Sequence, residues 1–257
     1  MALQYPSSFQ IHQNFEKLTF QYEPQLSVES NPSLSTCSTP STPGSPIDFE
    51  IQIASEDDRE RIREFLQNFF YKDEPLNSFL ELINEENPRC YDLEKFTLQD
   101  LDSGLNLLAV YDGKIIGVCL NGIMQRGKLE EEFVCEDEKF SKIVKLLQHI
   151  EEISDPFQKY PGVDKAIVVK ILSVDDTYRG RGIAKELMSK TIDLAKGRGC
   201  GFCSVDCSSY YTARAAKKLG FELHYTLKYE DYKVDGKSVF DPVAPHKAMT
   251  VYTQKIS

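Results

Sequence analysis

The chain has 257 residues, 41% of them hydrophobic and 27% charged, with a formal net charge of −10 and an isoelectric point near 5.0. That length supports one folded domain of about 200 residues plus a tail. No apolar run reaches the length of a membrane span, and the amino terminus lacks a basic-then-apolar leader, so the cytosol is the expected location. The acidic balance argues against nucleic acid as a partner and suits a cationic small substrate.

Seven cysteines, an odd number spread along the chain, fit reduced thiols better than a disulfide framework. Cys200-x-x-Cys203-x-x-x-Cys207 lacks the second ligand pair of a structural zinc site, and His12, His149, His224 and His246 show no paired spacing. No metal is expected. Cys203 and Cys207 read instead as small buried residues in or beside a strand.

In chain order, residues 1–46 read as a tail, because Ser33 to Pro46 is almost entirely serine, threonine and proline with no apolar period. Thr39-Pro40, Thr42-Pro43 and Ser45-Pro46 are candidate phosphorylation sites within what is otherwise a passive solvated segment. The folded part, residues 47–257, opens with Ile47 to Ile53 alternating at the strand period. Ser55 then caps a helix whose apolar stripe is Ile62, Phe65, Leu66, Phe69 and Phe70. Tyr71 to Asn77 ends it, Pro75 marks a stop or restart, and Phe79, Leu80 and Leu82 suggest a second short helix.

Residues 84–100 are polar and yield no element. A hairpin follows, with Asp112-Gly113 between the apolar runs Leu105 to Tyr111 and Lys114 to Met124, and with Gly122 expected at the edge of the second strand. Glu130 to Glu138 reads as exposed and acidic, and Phe140, Ile143, Val144, Leu147 and Ile150 then mark a helix that Pro156 and Pro161-Gly162 terminate.

Ala166 to Val174 is a buried strand that breaks at Asp175 into a glycine-containing turn. Ile183, Leu187, Met188, Thr191, Ile192 and Ala195 place an amphipathic helix directly behind Gly182. Such a helix opens with unpaired N–H groups and the positive end of its dipole, so the turn suits a phosphate or pyrophosphate. Gly180 and Gly182 keep side chains away, and Arg179 and Arg181 add charge. Lys185 rules out GxGxxG, and no Gly-Lys-Ser/Thr is present. On spacing alone, a junction that merely contains two glycines and two arginines stays open. Gly197-Arg198-Gly199 stops the helix; a strand at Phe202 to Asp206, a helix at Ser208 to Leu219, a strand at Glu222 to Tyr232, a turn at Asp235-Gly236 and a strand at Met249 to Ile256 complete the chain. The order is that of a mixed α/β (α+β) fold with an antiparallel front half and a mixed back half.

Arg179-x-x-Gly182-x-Ala184 resembles the pyrophosphate loop of the GNAT family of N-acetyltransferases, and Ala213-Arg214-x-x-Lys217-Lys218-Leu219-Gly220-Phe221 resembles that family's second motif. Lys72-Asp73-Glu74-Pro75-Leu76-Asn77, Ile171 to Asp175, Tyr178 to Ala184, Cys207 to Arg214 and Pro242-x-Ala244-Pro245-His246 together resemble the insect arylalkylamine (dopamine) N-acetyltransferases, over residues 47–253. The resemblance implies the acyl-CoA N-acyltransferase (GNAT) fold, a central mixed, mostly antiparallel sheet flanked by helices. It implies acetyl-CoA as co-substrate and direct transfer, in a ternary complex, to the primary amine of dopamine, serotonin, tyramine or octopamine. The sequence leaves the oligomeric state open, a monomer being the expectation, and its charge and hydropathy give no nucleic-acid or membrane partner.

An arylalkylamine is protonated near neutral pH and must lose a proton before it attacks. The resemblance makes Glu74 the general base and puts the oxyanion donor among the backbone N–H groups of Leu172, Ser173 and Val174. It lays the pantetheine arm along that strand's edge, and makes Arg179, Gly180, Arg181, Gly182, Ile183, Ala184, Lys185 and Ser208 the coenzyme contacts. Ala216 stands where many acetyltransferases place a tyrosine. The insect branch implicates two hydroxyls in protonating the thiolate, and these fall on Ser208 and Thr212, the latter replacing the usual serine. As i and i+4 they share one helix face. Tyr210 and Tyr211 are spare acids, and Ser208 also reads as a helix cap. Two other readings stay open: a polyamine or peptide acetyltransferase of the same fold, and a catalytically silent coenzyme A-binding module.

Overall fold

The computed structural model describes residues 47–128 and 133–256. The tail read for residues 1–46 and the first part of the acidic stretch from Glu130 lie outside the described residues. Among the described residues nine strands run in chain order: β1 (Glu50–Ile53), β2 (Leu107–Tyr111), β3 (Lys114–Gln125), β4 (Lys165–Val174), β5 (Phe202–Cys207), β6 (Glu222–Lys228), β7 (Lys233–Val234), β8 (Lys237–Ser238) and β9 (Ala248–Lys255). Six helices accompany them: α1 (Arg59–Phe69), α2 (Pro75–Phe79), α3 (Tyr91–Leu98), α4 (Glu138–Ser154), α5 (Ile183–Gly197) and α6 (Tyr210–Lys218).

Seven strands form one sheet in the order β1-β2-β3-β4-β5-β9-β6. Every pair in it is antiparallel except β4 with β5. Both Asp-Gly turns form as the sequence predicts, and the second closes a small hairpin, β7 with β8, that the sequence reading did not contain: Asp112 and Gly113 have φ of 48° and 71°, Asp235 and Gly236 of 52° and 76°, and two positive φ values are what a two-residue turn matched to strand twist requires. The two faces of β3 split the core, with a bulge that leaves Ile116 unpaired resetting the alternation. Val118 and Leu120 face α1 and α4, burying Ile62, Leu66, Phe140 and Ile150, while Ile116 and Cys119 face α5, burying Ile183, Leu187 and Met188.

Four sequence readings need correction. Residues 84–100, left without an element, contain α3; Cys90 makes no side-chain cap, so the helix has no start signal and is defined by tertiary contacts. Asp92 on α3 accepts the N–H groups of Glu136 and Asp137, each at 2.7 Å, and so holds the entry to α4. Gly122, expected at the edge of the hairpin's second strand, sits within β3 opposite Val168, and the strand runs on to Gln125. Ser55 caps a short 3-10 turn, Glu56–Asp58, that precedes α1. The strand read to Tyr232 stops at Lys228, because Tyr229–Asp231 form another 3-10 turn.

The site is opened by β4. Its pairing with β3 steps from Leu120↔Ile171 to Asn121↔Val169, which leaves Lys170 as the extra residue of a bulge. Pairing with β5 ends at Val169↔Val205, although β5 stays paired with β9 as far as Cys207. From Lys170 to Val174 one edge of β4 therefore faces a wedge instead of a strand.

Candidate active site

Two cavities flank this wedge, one of about 170 Å³ on the α1/α4 side and one of about 240 Å³ at the start of α5.

Glu74 is delivered to the first cavity by the way α1 ends. Ser173 Oγ donates to the Phe69 carbonyl at 3.0 Å and ties the carboxyl end of α1 to β4. Asn77 Nδ2 donates to the Tyr71 carbonyl at 3.1 Å, which closes the connecting loop. Pro75 stands at the first helical position, where no N–H is needed, and Glu74 caps α2 by accepting the Asn77 N–H at 2.7 Å. That uses Oε2. Oε1 is buried with no hydrogen-bond partner. Burial pushes the Glu74 pKa above the ordinary carboxylate range, and the Asn77 N–H, the Ser208 hydroxyl and the Leu76 N–H pull it partly back. Ser208 is thus near enough to stabilise the charge without closing a bond of ordinary geometry to Oε1.

Ser208 follows the last residue of β5 and lines the same cavity as Glu74. Its carbonyl accepts the Tyr229 hydroxyl at 2.6 Å. Tyr229 is 2% exposed, and burial together with the Glu74 charge pushes its phenol pKa up, so it stays protonated and acts as a fixed donor. Sequence reasoning missed this residue, whose position shows only when the turn after β6 is folded, across β9, beside the end of β5. Tyr229→Phe is expected to cost about 1 kcal/mol in a urea melt, the scale of one buried hydrogen bond.

The cap of α6 is Ser209, not Ser208: Ser209 Oγ accepts the N–H groups of Tyr211 and Thr212 at 3.1 and 3.5 Å. Ser208 therefore lies before the helix, and the shared helix face expected for Ser208 and Thr212 does not exist. Thr212 is half-buried on the stripe of α6 that continues to Ala215 and Leu219, which line the second cavity, but it lines neither cavity itself. Tyr210 and Tyr211 are 48% and 62% exposed, and neither lines Glu74's cavity. Tyr211 stacks edge-on against His246, whose Nδ1 accepts the Tyr210 N–H at 3.2 Å.

The second cavity brings together Val174, Arg179, Gly180, Gly182, Ile183, Ala184 and Lys185, with Ala215, Lys218 and Leu219 from α6. Gly182, with φ of +85°, caps α5, and Gly180 has φ of +77°. A Cβ at either would meet nothing within 4 Å, so the glycines supply a left-handed backbone and not merely room. The first N–H groups of the 15-residue α5 are left for an anion. Arg179 Nε donates to the Val174 carbonyl at 3.1 Å, and Arg181 lies over the Tyr178 ring at 5.7 Å. Both arginines fold against the turn. Lys218, which the sequence reading did not assign, is a further cation at this cavity. Leu172 and Val174 face α5, Ser173 faces α1, and the main chain of all three runs along the open edge.

An anion cradle, an open strand edge and a buried carboxylate succeed one another around one wedge. That arrangement suits a group-transfer enzyme whose donor carries a pyrophosphate and an extended amide arm. A model of the acetyltransferase (GNAT) family matches residues 60–221, and the chain belongs to that family. Among solved structures, arylalkylamine N-acetyltransferase 2 from Aedes aegypti is similar at 30% identity with a TM-score of 0.73, over 82% of this chain and 100% of its own. Mosquito arylalkylamine N-acetyltransferase like 5b is also 30% identical, with a TM-score of 0.71, over 81% of this chain and 100% of its own. A polyamine N-acetyltransferase of Drosophila melanogaster that forms N-acetylagmatine shares the fold at 24% identity and a TM-score of 0.69, over 81% of this chain and 100% of its own. Among the described residues no helix is long and apolar enough to cross a membrane, and no cluster of three His, Cys, Asp or Glu is placed to hold a metal.

Proposed function

We propose that the protein transfers acetyl from acetyl-CoA to the primary amine of an arylalkylamine such as dopamine, serotonin, tyramine or octopamine, directly and in a ternary complex. The observation that carries this reading is the Glu74 carboxylate, buried beside the open β4 edge in a cavity walled by Phe70, Phe96 and Phe133. Acetyl-CoA supplies the activated carbonyl. The residues Arg179 to Lys185 hold its pyrophosphate, and the β4 edge from Lys170 to Val174 pairs with its amide arm. Glu74 takes the proton from the ammonium group, a task its raised pKa favours because a base works best when its pKa approaches the working pH. A backbone N–H of Leu172, Ser173 or Val174 stabilises the charge that develops on the carbonyl oxygen. Ser208, next to Glu74 in the cavity, passes its hydroxyl proton to the departing sulfur and regains one from the N–H that the nitrogen sheds as the amide forms, with Thr212 in reserve one helical turn from Ala215; the proton held by Glu74 leaves to solvent. The free cysteines Cys90, Cys119, Cys135, Cys200, Cys203 and Cys207 support a reducing, cytosolic setting.

Thiol release from acetyl-CoA with dopamine, serotonin, tyramine, octopamine, agmatine, spermidine and a short peptide tests the reading. Turnover led by the aryl amines is expected. Turnover confined to agmatine, spermidine or peptide overturns the substrate class, and coenzyme A binding without turnover overturns the activity. Ser208→Ala is expected to lower kcat by about a hundredfold, the ordinary contribution of one proton donor. Because the Ser208 hydroxyl lowers the Glu74 pKa, the acid limb of the pH profile should also move upward in that variant. The polyamine reading has one observation in its favour: the carboxylates of Glu151 and Asp206 also line the first cavity.

A further inference from the structure

Among the described residues, those two carboxylates share the cavity with one cation, Lys170, and the backbone is built to keep it there. Lys170 is the extra residue of the β4 bulge, and its stem crosses Gly122. A Cβ on Gly122 would stand 2.6 Å from Lys170 Cε and 3.2 Å from Nζ, so any other residue at 122 would displace the lysine. Nζ lies 4.0 Å from Asp100, and the side chain is only 24% exposed. Lys170 and Asp206 each stand one residue past the last matched β4–β5 pair, Val169↔Val205, at the point where the strands diverge. Glu151 comes to the same cavity from α4.

Half-buried carboxylates require a compensating charge, and an amine substrate with a second ammonium or guanidinium group would supply one. Here the chain supplies its own. We infer that Lys170 is a specificity residue, a resident counter-ion for Asp206 and Glu151 that occupies the place a second cationic group would take, so that the cavity admits monoamines and refuses diamines. This rests on the reading of the first cavity as the amine site. A diamine bound there would have to set its distal charge beside Lys170 or expel it, and like charges in a partly dehydrated site repel strongly. An uncharged ring meets no such opposition and packs on Phe96 and Phe133. Gly122 and the bulge explain how the lysine stem fits beside the cavity at all.

The test compares kcat/KM for agmatine and tyramine in the wild type, Lys170→Met and Lys170→Arg, by thiol release from acetyl-CoA. In Lys170→Met the agmatine-to-tyramine ratio is expected to rise about tenfold or more, the scale set by one charge left without its partner. Lys170→Arg should keep the wild-type ratio. A gain on agmatine cannot arise from partial unfolding; if Lys170→Met does not fold, Lys170→Gln removes the same charge and gives the same ratio. An unchanged ratio in a variant that still acetylates tyramine overturns the Lys170 assignment alone. A wild type that prefers agmatine overturns the aryl substrate class and, because the cavity then admits a second cation beside Lys170, the assignment with it. An enzyme inert to every amine overturns both.

Discussion

Glu74→Gln will fold and will lose about a hundredfold to ten-thousandfold in kcat/KM, the range that one positioned base contributes. Glutamine preserves the cap, because its amide oxygen accepts the Asn77 N–H as the carboxylate does at 2.7 Å. It cannot accept the ammonium proton. The loss should fall on kcat, since the aromatic walls that bind the ring are untouched. In the wild type the acid limb of kcat/KM should lie above the ordinary carboxylate range, because burial raises the Glu74 pKa, and that limb should vanish in Glu74→Gln. A variant with more than a third of wild-type kcat/KM would remove Glu74 from the chemistry.

The same substitution should not destabilise the protein at neutral pH. Glu74 has a folded pKa above its unfolded value of 4.5, so between the two the native state holds more protons than the unfolded one. Stability attached to this group is therefore fully present below the unfolded pKa and is lost as pH rises through the folded value. At neutral pH the wild type bears the cost of a buried charge with one oxygen unpartnered, and glutamine does not. Urea midpoints of the two proteins should converge at about pH 4 and favour Glu74→Gln at about pH 7.5. Catalysis and stability pull this residue in opposite directions, as expected for a group whose burial is what makes it a useful base.

The difference between what the chain spells out and what it leaves to folding is the difference between local and tertiary causes. Asp112-Gly113 and Asp235-Gly236 demand positive φ within the turn itself, and the stripes of α1, α4 and α5 repeat at 3.6 residues, so both were readable. α3 was not. It lacks a side-chain cap, and it is anchored by Asp92, whose partners lie some forty residues downstream. The two serines after Cys207 have equal capping chemistry, and only where β5 ends decides that Ser209 caps α6 and Ser208 turns to Glu74. Tyr229 and Lys170 belong to the site through the fold of β6 and through a bulge, neither of which leaves a periodic signal.

Gly182→Val should separate the donor site from the amine site. Gly182 holds φ of +85° at the cap of α5, where a β-branched residue is a steric outlier costing about 1–3 kcal/mol. No neighbour lies within 4 Å of the Cβ it would gain, so the penalty is conformational and the turn can relieve it by refolding. Refolding turns the first N–H groups of α5 away from the anion and breaks the first helical bond, from the Glu186 N–H to the Gly182 carbonyl at 3.0 Å. The KM for acetyl-CoA is expected to rise about a hundredfold, because both helix-terminal donors and the orientation of the dipole are lost to a pyrophosphate. The amine KM should hold, since Glu74 and the aromatic cavity are reached from α1, α3 and α4. Gly182→Asn serves as the control: asparagine tolerates the left-handed region, so it should recover most of the acetyl-CoA affinity. If Gly182→Val binds acetyl-CoA as the wild type does, the pyrophosphate is not held at α5. If both variants lose it equally, what the position supplies is the absence of a side chain and not the left-handed turn.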